Sequence, residues 1–372
     1  MKKNDTKTGP LQEAGLPQVL RSDGQTAVGA RSGFTPSAYH PVFFPAFRAT
    51  EPCRKPHEKP DRFCHTKATI LTARNMTGIC TMTTQQTIGF IGFGAMASRM
   101  GDNLKKAGYA LVAYTPSGKG GDGSTPFLPS PADVAKKADI VLVCVPDDEA
   151  LAAAMYGENG ALAGMHANQL LLNTSSVSPE ATDALQKAGQ DKEICVIDSP
   201  VSGSTPEAEA AALVILAGGD DALLARAKPV FDCIGKTTIH AGPSGSGARL
   251  KLVINGIMGA GLAAVAETIA YGLAAGLDRS MLFDALGEVA VISPHHKRKI
   301  RAAKEGDFTP QFPTRLMQKD MRLLLDAAAR QAVPMPTMAA TTQQLSLTRR
   351  AAANEDYSAL IGVMEHIVAN DA

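Results

Sequence analysis

The segment Ala248–Gly261, ARLKLVINGIMGAG, sets a lysine at the head of a run with no further charge before Glu267. A lysine in such a place does one of two things. Its stem lies along apolar surface while its head stays in water. Or the amine is held dry, where burial lowers its pKa and fits it to take up and release protons near neutral pH. Asn255 follows Lys251 by four residues, so on a helix the two share a face. The run alone does not decide between the two readings.

A second stretch with chemical meaning is Gly92-Phe93-Gly94-Ala95-Met96-Ala97, a G-x-G-x-x-A turn. It follows the strand-like TIGFI and opens a helix-like segment, which is the context in which such a turn binds a dinucleotide. Gly92 permits the tight turn, Gly94 lets backbone approach a pyrophosphate, and Ala97 allows close helix–strand packing. The helix start at Ala95 and Met96 then offers unpaired N–H groups to phosphate. An NAD site usually carries an acid at the end of the second strand. Here that place reads Thr115-Pro116-Ser117-Gly118-Lys119, with hydroxyls and a lysine but no acid and no arginine. NAD and NADP both stay open, and the hydroxyls with Lys119 favour NADP.

These residues need elements to position them. From Gln86 to about residue 240, apolar runs of strand length alternate with helix-like segments. The strands are TIGFIGFG, YALVAYT, DIVLVCVP, QLLLNTS, EICVIDSPV, ALVILAGG and TTIHAG. The helix-like segments include AMASRMGDNLKKAG, closed by Gly108, and SPADVAKKA, with Ser130 as N-cap and Pro131 behind it. This alternation predicts an α/β fold with a mostly parallel, doubly wound sheet. With the glycine turn in its first β-α unit, the sheet is of Rossmann type. From about residue 243 the strands stop. Helical patterns run over roughly 244–275, 279–288, 295–304, 313–330, 335–353 and 356–368, an all-α C-terminal domain.

Charge divides the chain unevenly. Residues 1–81 hold 12 Lys/Arg against 6 Asp/Glu, while the remainder holds 25 against 30. The first part also carries 8 of the 23 prolines and no sustained period, so it reads as a disordered N-terminal extension. Met82 reads as a natural start, which gives an organisation of 1–81, 82–243 and 244–372. No secretory signal is recognised in the extension, and nucleic acid is not expected as a partner. Cys53, Cys64 and Cys80 make no C-x-x-C pair and predict no zinc site, while Cys144, Cys195 and Cys233 fall in apolar patterns as reduced core residues. A cytoplasmic protein is expected. Residues 252–266 are too short a run to span a membrane and are flanked by Lys251 and Glu267, so no membrane is expected.

Four motifs, in order, carry a family resemblance: GFIGFGAMASRM, DSPVSGS (198–204), GPSGSGARLKLVIN (242–255) and FTPQFPTRLMQKDMRLL (308–324). From residue 86 to about 368 the chain resembles the β-hydroxyacid dehydrogenases, which include 3-hydroxyisobutyrate dehydrogenase and tartronate semialdehyde reductase. The resemblance implies an NAD(P)-dependent enzyme moving hydride between nicotinamide and a small 3-hydroxy acid or its semialdehyde. It implies Lys251 as catalytic acid/base and Asn255 as the residue orienting it and the substrate. It implies that Ser202 and Gly203 hold the substrate carboxylate. Val145, Pro146 and Ser176 would line the nicotinamide side, and Lys319 would reach the cofactor from the helical domain.

Departures from the family pattern bear on the substrate. Ser204 stands where a glycine is usual and adds bulk beside the carboxylate site, and TPEAEAAA replaces glycines that usually follow. His295 and His296 are adjacent, do not share a helix face, and read as a polar edge rather than metal ligands. Lys251 argues against an imine reductase, and no basic set for a phosphosugar acid is found. The alternative from another class is a catalytically silent dinucleotide-binding sensor or interaction module. The long apolar helix near 244–275 predicts a homodimer or homotetramer.

Overall fold

The computed structural model describes residues 70–72 and 86–369. In chain order the first part runs β1 (Ile70–Thr72), β2 (Thr87–Ile91), α1 (Ala95–Lys106), β3 (Ala110–Tyr114), α2 (Pro131–Lys137) and β4 (Ile140–Val143). It continues α3 (Asp148–Met155), α4 (Ala161–Gly164), β5 (Leu170–Asn173), α5 (Pro179–Gln190), β6 (Cys195–Asp198) and β7 (Val201–Ser202). It closes with α6 (Thr205–Glu209), β8 (Leu213–Gly218), α7 (Asp221–Ile234) and β9 (Gly235–Gly242).

The sheet order is β1-β9-β8-β6-β5-β4-β2-β3, with β7 paired to β8. β3, β2, β4, β5 and β6 are parallel neighbours, β8 lies antiparallel to β6, and β9 is parallel to β8. The expected Rossmann-type, mostly parallel sheet is therefore present. Its central strands are buried along their whole length: IVLV in β4 and LLLN in β5. Such continuous apolar runs form strands because both faces are covered. One face buries Ile88, Phe90, Leu142, Leu172 and Ile197 against α1 and α7. The other buries Ile91, Val141, Val143, Leu171 and Val196 against α2, α3, α4 and α5. Ser130 and Ser178 cap α2 and α5, each accepting the N–H three residues on, with proline at the first helical position.

The second part is helical: α8 (Ser246–Ala274), α9 (Arg279–Glu288), α10 (Pro294–Glu305), α11 (Thr314–Arg330), α12 (Pro336–Ala352) and α13 (Ala359–Ala369). α8 packs against α13, α11 and α12 and also against β8 and β9. Its Leu262, Ala266 and Ile269 form a core with Phe283, Ile300, Met317, Met321, Leu345 and Leu360. Gly259 lets α11 approach closely, because a Cβ there would stand 2.9 Å from the Met321 sulfur.

Some expectations are corrected. α3 and α4 stand between β4 and β5, where no helix was read. EICVIDSPV is not one strand: Pro200 lacks an N–H for the ladder, and the chain breaks into β6 and β7. The apolar run at 252–266 belongs to a 29-residue helix, α8, long and apolar enough by length and composition to cross a membrane. Here that helix is the core of the second part. Within the extension, Ile70–Thr72 pair with β9 as a strand. The reading of the rest of 1–81 as disordered, the start at Met82, and Cys53, Cys64 and Cys80 lie outside the described residues.

Candidate functional site

The glycine turn sits at the C-terminal end of β2, between β3 and β4, where the strand order reverses. Ligands bind at this point of an open α/β sheet. Gly92 has φ +85, and a Cβ there would lie 2.2 Å from the Cys144 carbonyl oxygen. Only glycine fits that crossing. Gly94 is the N-cap of α1 and supplies no side-chain cap, and no acid occupies the first turn. A Cβ at Gly94 would meet nothing within 4 Å. An uncapped helix start with open space before it is what a pyrophosphate requires. Ala97 is fully buried against the sheet. A cavity of about 560 Å³ opens beside the turn, lined by Gly94, Ala95, Ser98, Arg99 and Lys119 among others.

The strand ends beside the turn supply the neighbouring residues. The Gly92 N–H donates to the Tyr114 carbonyl, one residue before Thr115. The Thr115 hydroxyl donates to the Lys119 carbonyl at 3.0 Å, and the Lys119 N–H comes back to the hydroxyls of Thr115 and Ser117. These hydrogen bonds shape an exposed turn. Val145 donates its N–H to Ser175 Oγ at 3.0 Å, which holds Val145 and Pro146 beside the loop that carries Ser176. The residues fit a dinucleotide lying across the ends of β2, β3 and β4.

Lys251 is 8% exposed, one turn into α8. Burial pushes its ammonium down to about 8; nearby Lys319 pushes the same way and Asp320 opposes. Asn255, 1% exposed, donates from Nδ2 to Asp320 Oδ2 at 2.5 Å, while its Oδ1 is buried with no partner. Such an acceptor is costly unless a donor comes to it. Asp320, on α11, is 1% exposed, and its Oδ1 lies 2.7 Å from the Lys319 ammonium. Lys319 also donates to the Ser176 carbonyl, so α11 reaches across to the loop after β5. The structure thus gathers Lys251, Asn255 and Lys319 around Asp320, and links them to Ser176.

The turn bearing Ser202, Gly203 and Ser204 follows β6, and Asp198 at the end of β6 joins it to α8. Asp198, 2% exposed, accepts from Gly245 N at 2.7 Å and Ala248 N at 2.9 Å, at the head of α8. Burial pushes its carboxyl up to about 6 against the pull of these N–H groups. Ser202 is half-buried and Gly203 exposed at the surface of the turn. Ser204 caps α6 and is held by Glu207, which in turn pairs with Arg298 of α10.

The two histidines are structural. His295 Nε2 lies 2.5 Å from Tyr357 Oη, and His296 Nε2 lies 3.0 Å from the Met258 carbonyl. No cluster of metal-ligating residues is found among the described residues. Sequence reasoning missed Asp198, Asp320 and Glu207. Two of them stood in quoted motifs, and the third completes the S-x-x-E spacing of a capping box.

Residues 87–242 match the family profile described as the NAD binding domain of 6-phosphogluconate dehydrogenase. Residues 245–364 match the one described as NAD-binding of NADP-dependent 3-hydroxyisobutyrate dehydrogenase. The chain is 32% identical over 287 residues to the 2-(hydroxymethyl)glutarate dehydrogenase of Eubacterium barkeri, across 75% of this chain and 95% of that one. It is 32% identical over 279 residues to glyoxylate/succinic semialdehyde reductase 1 of Arabidopsis thaliana, across 74% and 96%. Its fold matches the Mycobacterium tuberculosis 3-hydroxyisobutyrate dehydrogenase solved with L-serine, with a TM-score of 0.67 at 25% identity, across 76% and 99% of the two chains.

Proposed function

The chain belongs to the β-hydroxyacid dehydrogenase family of NAD(P)-dependent oxidoreductases, and on that premise we propose that it interconverts a small 3-hydroxy acid and its semialdehyde with Lys251 as general acid/base. The observation that carries the reading is the buried Lys251 beside the unpartnered Asn255 Oδ1. A dry amine with a pKa near working pH is a proton shuttle, and an orphan acceptor beside it is a place for a substrate hydroxyl.

The bound nicotinamide supplies the hydride chemistry. The chain's residues do the rest. In oxidation neutral Lys251 takes the proton of the substrate hydroxyl. In reduction its ammonium returns that proton to the oxygen of the carbonyl. Asn255, anchored by Asp320, keeps Oδ1 aimed at the hydroxyl or at the lysine. Ser202 Oγ and the Gly203 N–H hold the carboxylate. Val145, Pro146 and Ser176 border the nicotinamide, and Lys319 closes that side from the helical domain.

NADP is the favoured cofactor in this reading, because Lys119 and Arg99 line the cavity beside the turn and Asp122 there is already turned to Lys105 and Ser124. Exposed Val253, Ile257 and Tyr271 on α8 support a homodimer or homotetramer built on that helix. A cytoplasmic setting fits Cys144 and Cys195, which form no disulfide. The test is a screen of short hydroxy acids and semialdehydes with both cofactors, followed by the absorbance of reduced nicotinamide. Turnover of a 3-hydroxy acid that is lost in Lys251→Ala is the expected result. Cofactor binding without turnover on any of them overturns the enzyme in favour of a silent sensor.

A further inference from the structure

Arg99 stands in the second turn of α1, but its guanidinium is held beside the first. Nη1 donates to the Ala95 carbonyl at 2.8 Å, and Ala95 is the first residue of that helix. The cavity of about 560 Å³ beside the glycine turn is lined by Arg99 together with Gly94 and Ala95 of the turn and Lys119 and Gly120 of the loop after β3. Two elements therefore face one space. One is the uncapped helix start that suits a pyrophosphate. The other is the loop that, in Rossmann-type sites, meets the ribose hydroxyls of the adenosine half. No acid stands at the end of β3 to bond those hydroxyls, where the chain reads Thr115-Pro116-Ser117.

The charges on the cavity wall are unequally committed. Asp122 accepts from the Ser124 N–H at 2.9 Å and lies 2.6 Å from its hydroxyl, with the Lys105 ammonium 3.5 Å away. The Ser124 hydroxyl and N–H, helped by Lys105, hold its carboxyl at about 2. Asp102 lies 3.7 Å from the same ammonium. Glu209 is the carboxylate nearest Arg99, at 3.7 Å from Nε, and its side chain is 74% exposed. A pair so loose and so wet is weak, and a phosphate can displace it. The planar guanidinium is the side chain best shaped to grip a phosphate through two N–H groups at once.

We propose that Arg99 is the residue that selects between the two nicotinamide dinucleotides: its guanidinium, with the Lys119 ammonium, takes the 2′-phosphate of NADP from the α1 side of the cavity. This rests on the cofactor preference proposed above and assigns it to a side chain outside the loop after β3. It needs nothing of the reaction assigned to Lys251.

The experiment uses the full chain without substrate. Titration calorimetry gives the Kd of adenosine 2′,5′-bisphosphate and of adenosine 5′-monophosphate in wild type and in Arg99→Gln. The two probes differ only by the 2′-phosphate, and Gln keeps a donor for the Ala95 carbonyl. Wild type should bind the bisphosphate more tightly than the monophosphate. Arg99→Gln should weaken the bisphosphate by about tenfold, the scale of one charge-assisted contact, and shift the monophosphate by no more than about twofold. An equal loss on both probes makes Arg99 a support of the turn and overturns the proposal. A bisphosphate preference that survives Arg99→Gln unchanged also overturns it, while leaving NADP as the cofactor. A wild type that binds the two probes equally overturns it together with the preference for NADP. Hydride transfer enters none of these outcomes, so each leaves the Lys251 reading to its own test.

Discussion

Asp198 Oδ2 accepts the backbone N–H of Ala248 at 2.9 Å, which ties the last residue of β6 to the first turn of α8. Lys251 lies three residues beyond Ala248, so this bond fixes where the amine starts. The turn proposed to hold the substrate carboxylate begins at Ser202, four residues after Asp198. One carboxylate thus ties together the two segments proposed to hold the substrate.

Removing that carboxylate should cost both stability and rate. Asp198→Ala leaves N–H groups of α8 unsatisfied, an expected loss of about 1–3 kcal/mol. kcat should fall by about 10²-fold, the scale of a small misplacement of reacting groups. Asp198 also predicts an acid limb. Its folded pKa, about 6, is raised above the ordinary 3.8, so its stability contribution is full below 3.8 and lost as pH rises through about 6. Activity should fall as pH drops through about 6, with no matching fall in Tm from this group. Steady-state rates and Tm across that range check it, and an acid limb that persists in Asp198→Asn rules Asp198 out as its source.

Lys251 predicts the alkaline behaviour. Oxidation should rise, and reduction fall, as pH passes about 8. Lys251→Met should lower turnover by about 10²–10⁴-fold with cofactor affinity kept. It should also stabilise the fold. The depressed pKa means the ammonium costs stability below about 8, and the cost fades toward 10.5, the ordinary value. At about 1.4 kcal/mol per unit, the relief at neutral pH is at most about 3.5 kcal/mol. If Lys251→Met proves less stable than wild type at pH 7, the strained, dry lysine is ruled out.

Asp320 opposes the burial of that charge. Asp320→Asn removes the anion beside Lys251, so the midpoint of the oxidation profile should move to lower pH. Asn255 keeps an acceptor on residue 320 in this variant, which separates charge from positioning. An unchanged midpoint with reduced kcat assigns Asp320 to positioning alone.

Cofactor choice turns on the loop after β3. Lys119→Ala should lower kcat/KM for NADPH by about tenfold, one charge-assisted contact, and leave NADH nearly unchanged. Equal effects on the two cofactors remove Lys119 from phosphate recognition.

Much of this was legible in the chain, for physical reasons. A parallel sheet demands unbroken apolar strands, so IVLV and LLLN announced themselves, and Ser130-Pro131 marked a helix start. The four-residue spacing of Lys251 and Asn255 is a local property and put them on one face, while their roles came from the family resemblance. Asp320 was not legible, because its partner Asn255 lies 65 residues away in sequence, and for Glu207 the local spacing to Ser204 shows the cap but not the pairing with Arg298, 91 residues on. Lys319 beside Asp320 reads as a solvated pair until the fold buries the acid. α3 and α4 escaped because eight and four residues hold too little period to read.

α8 has its head clamped to the sheet and its body sunk in the helical core, and the described residues all fall within one compact unit. Lys251, between the clamped head and the buried body, is thereby held in register with the sheet edge and with α11 at once.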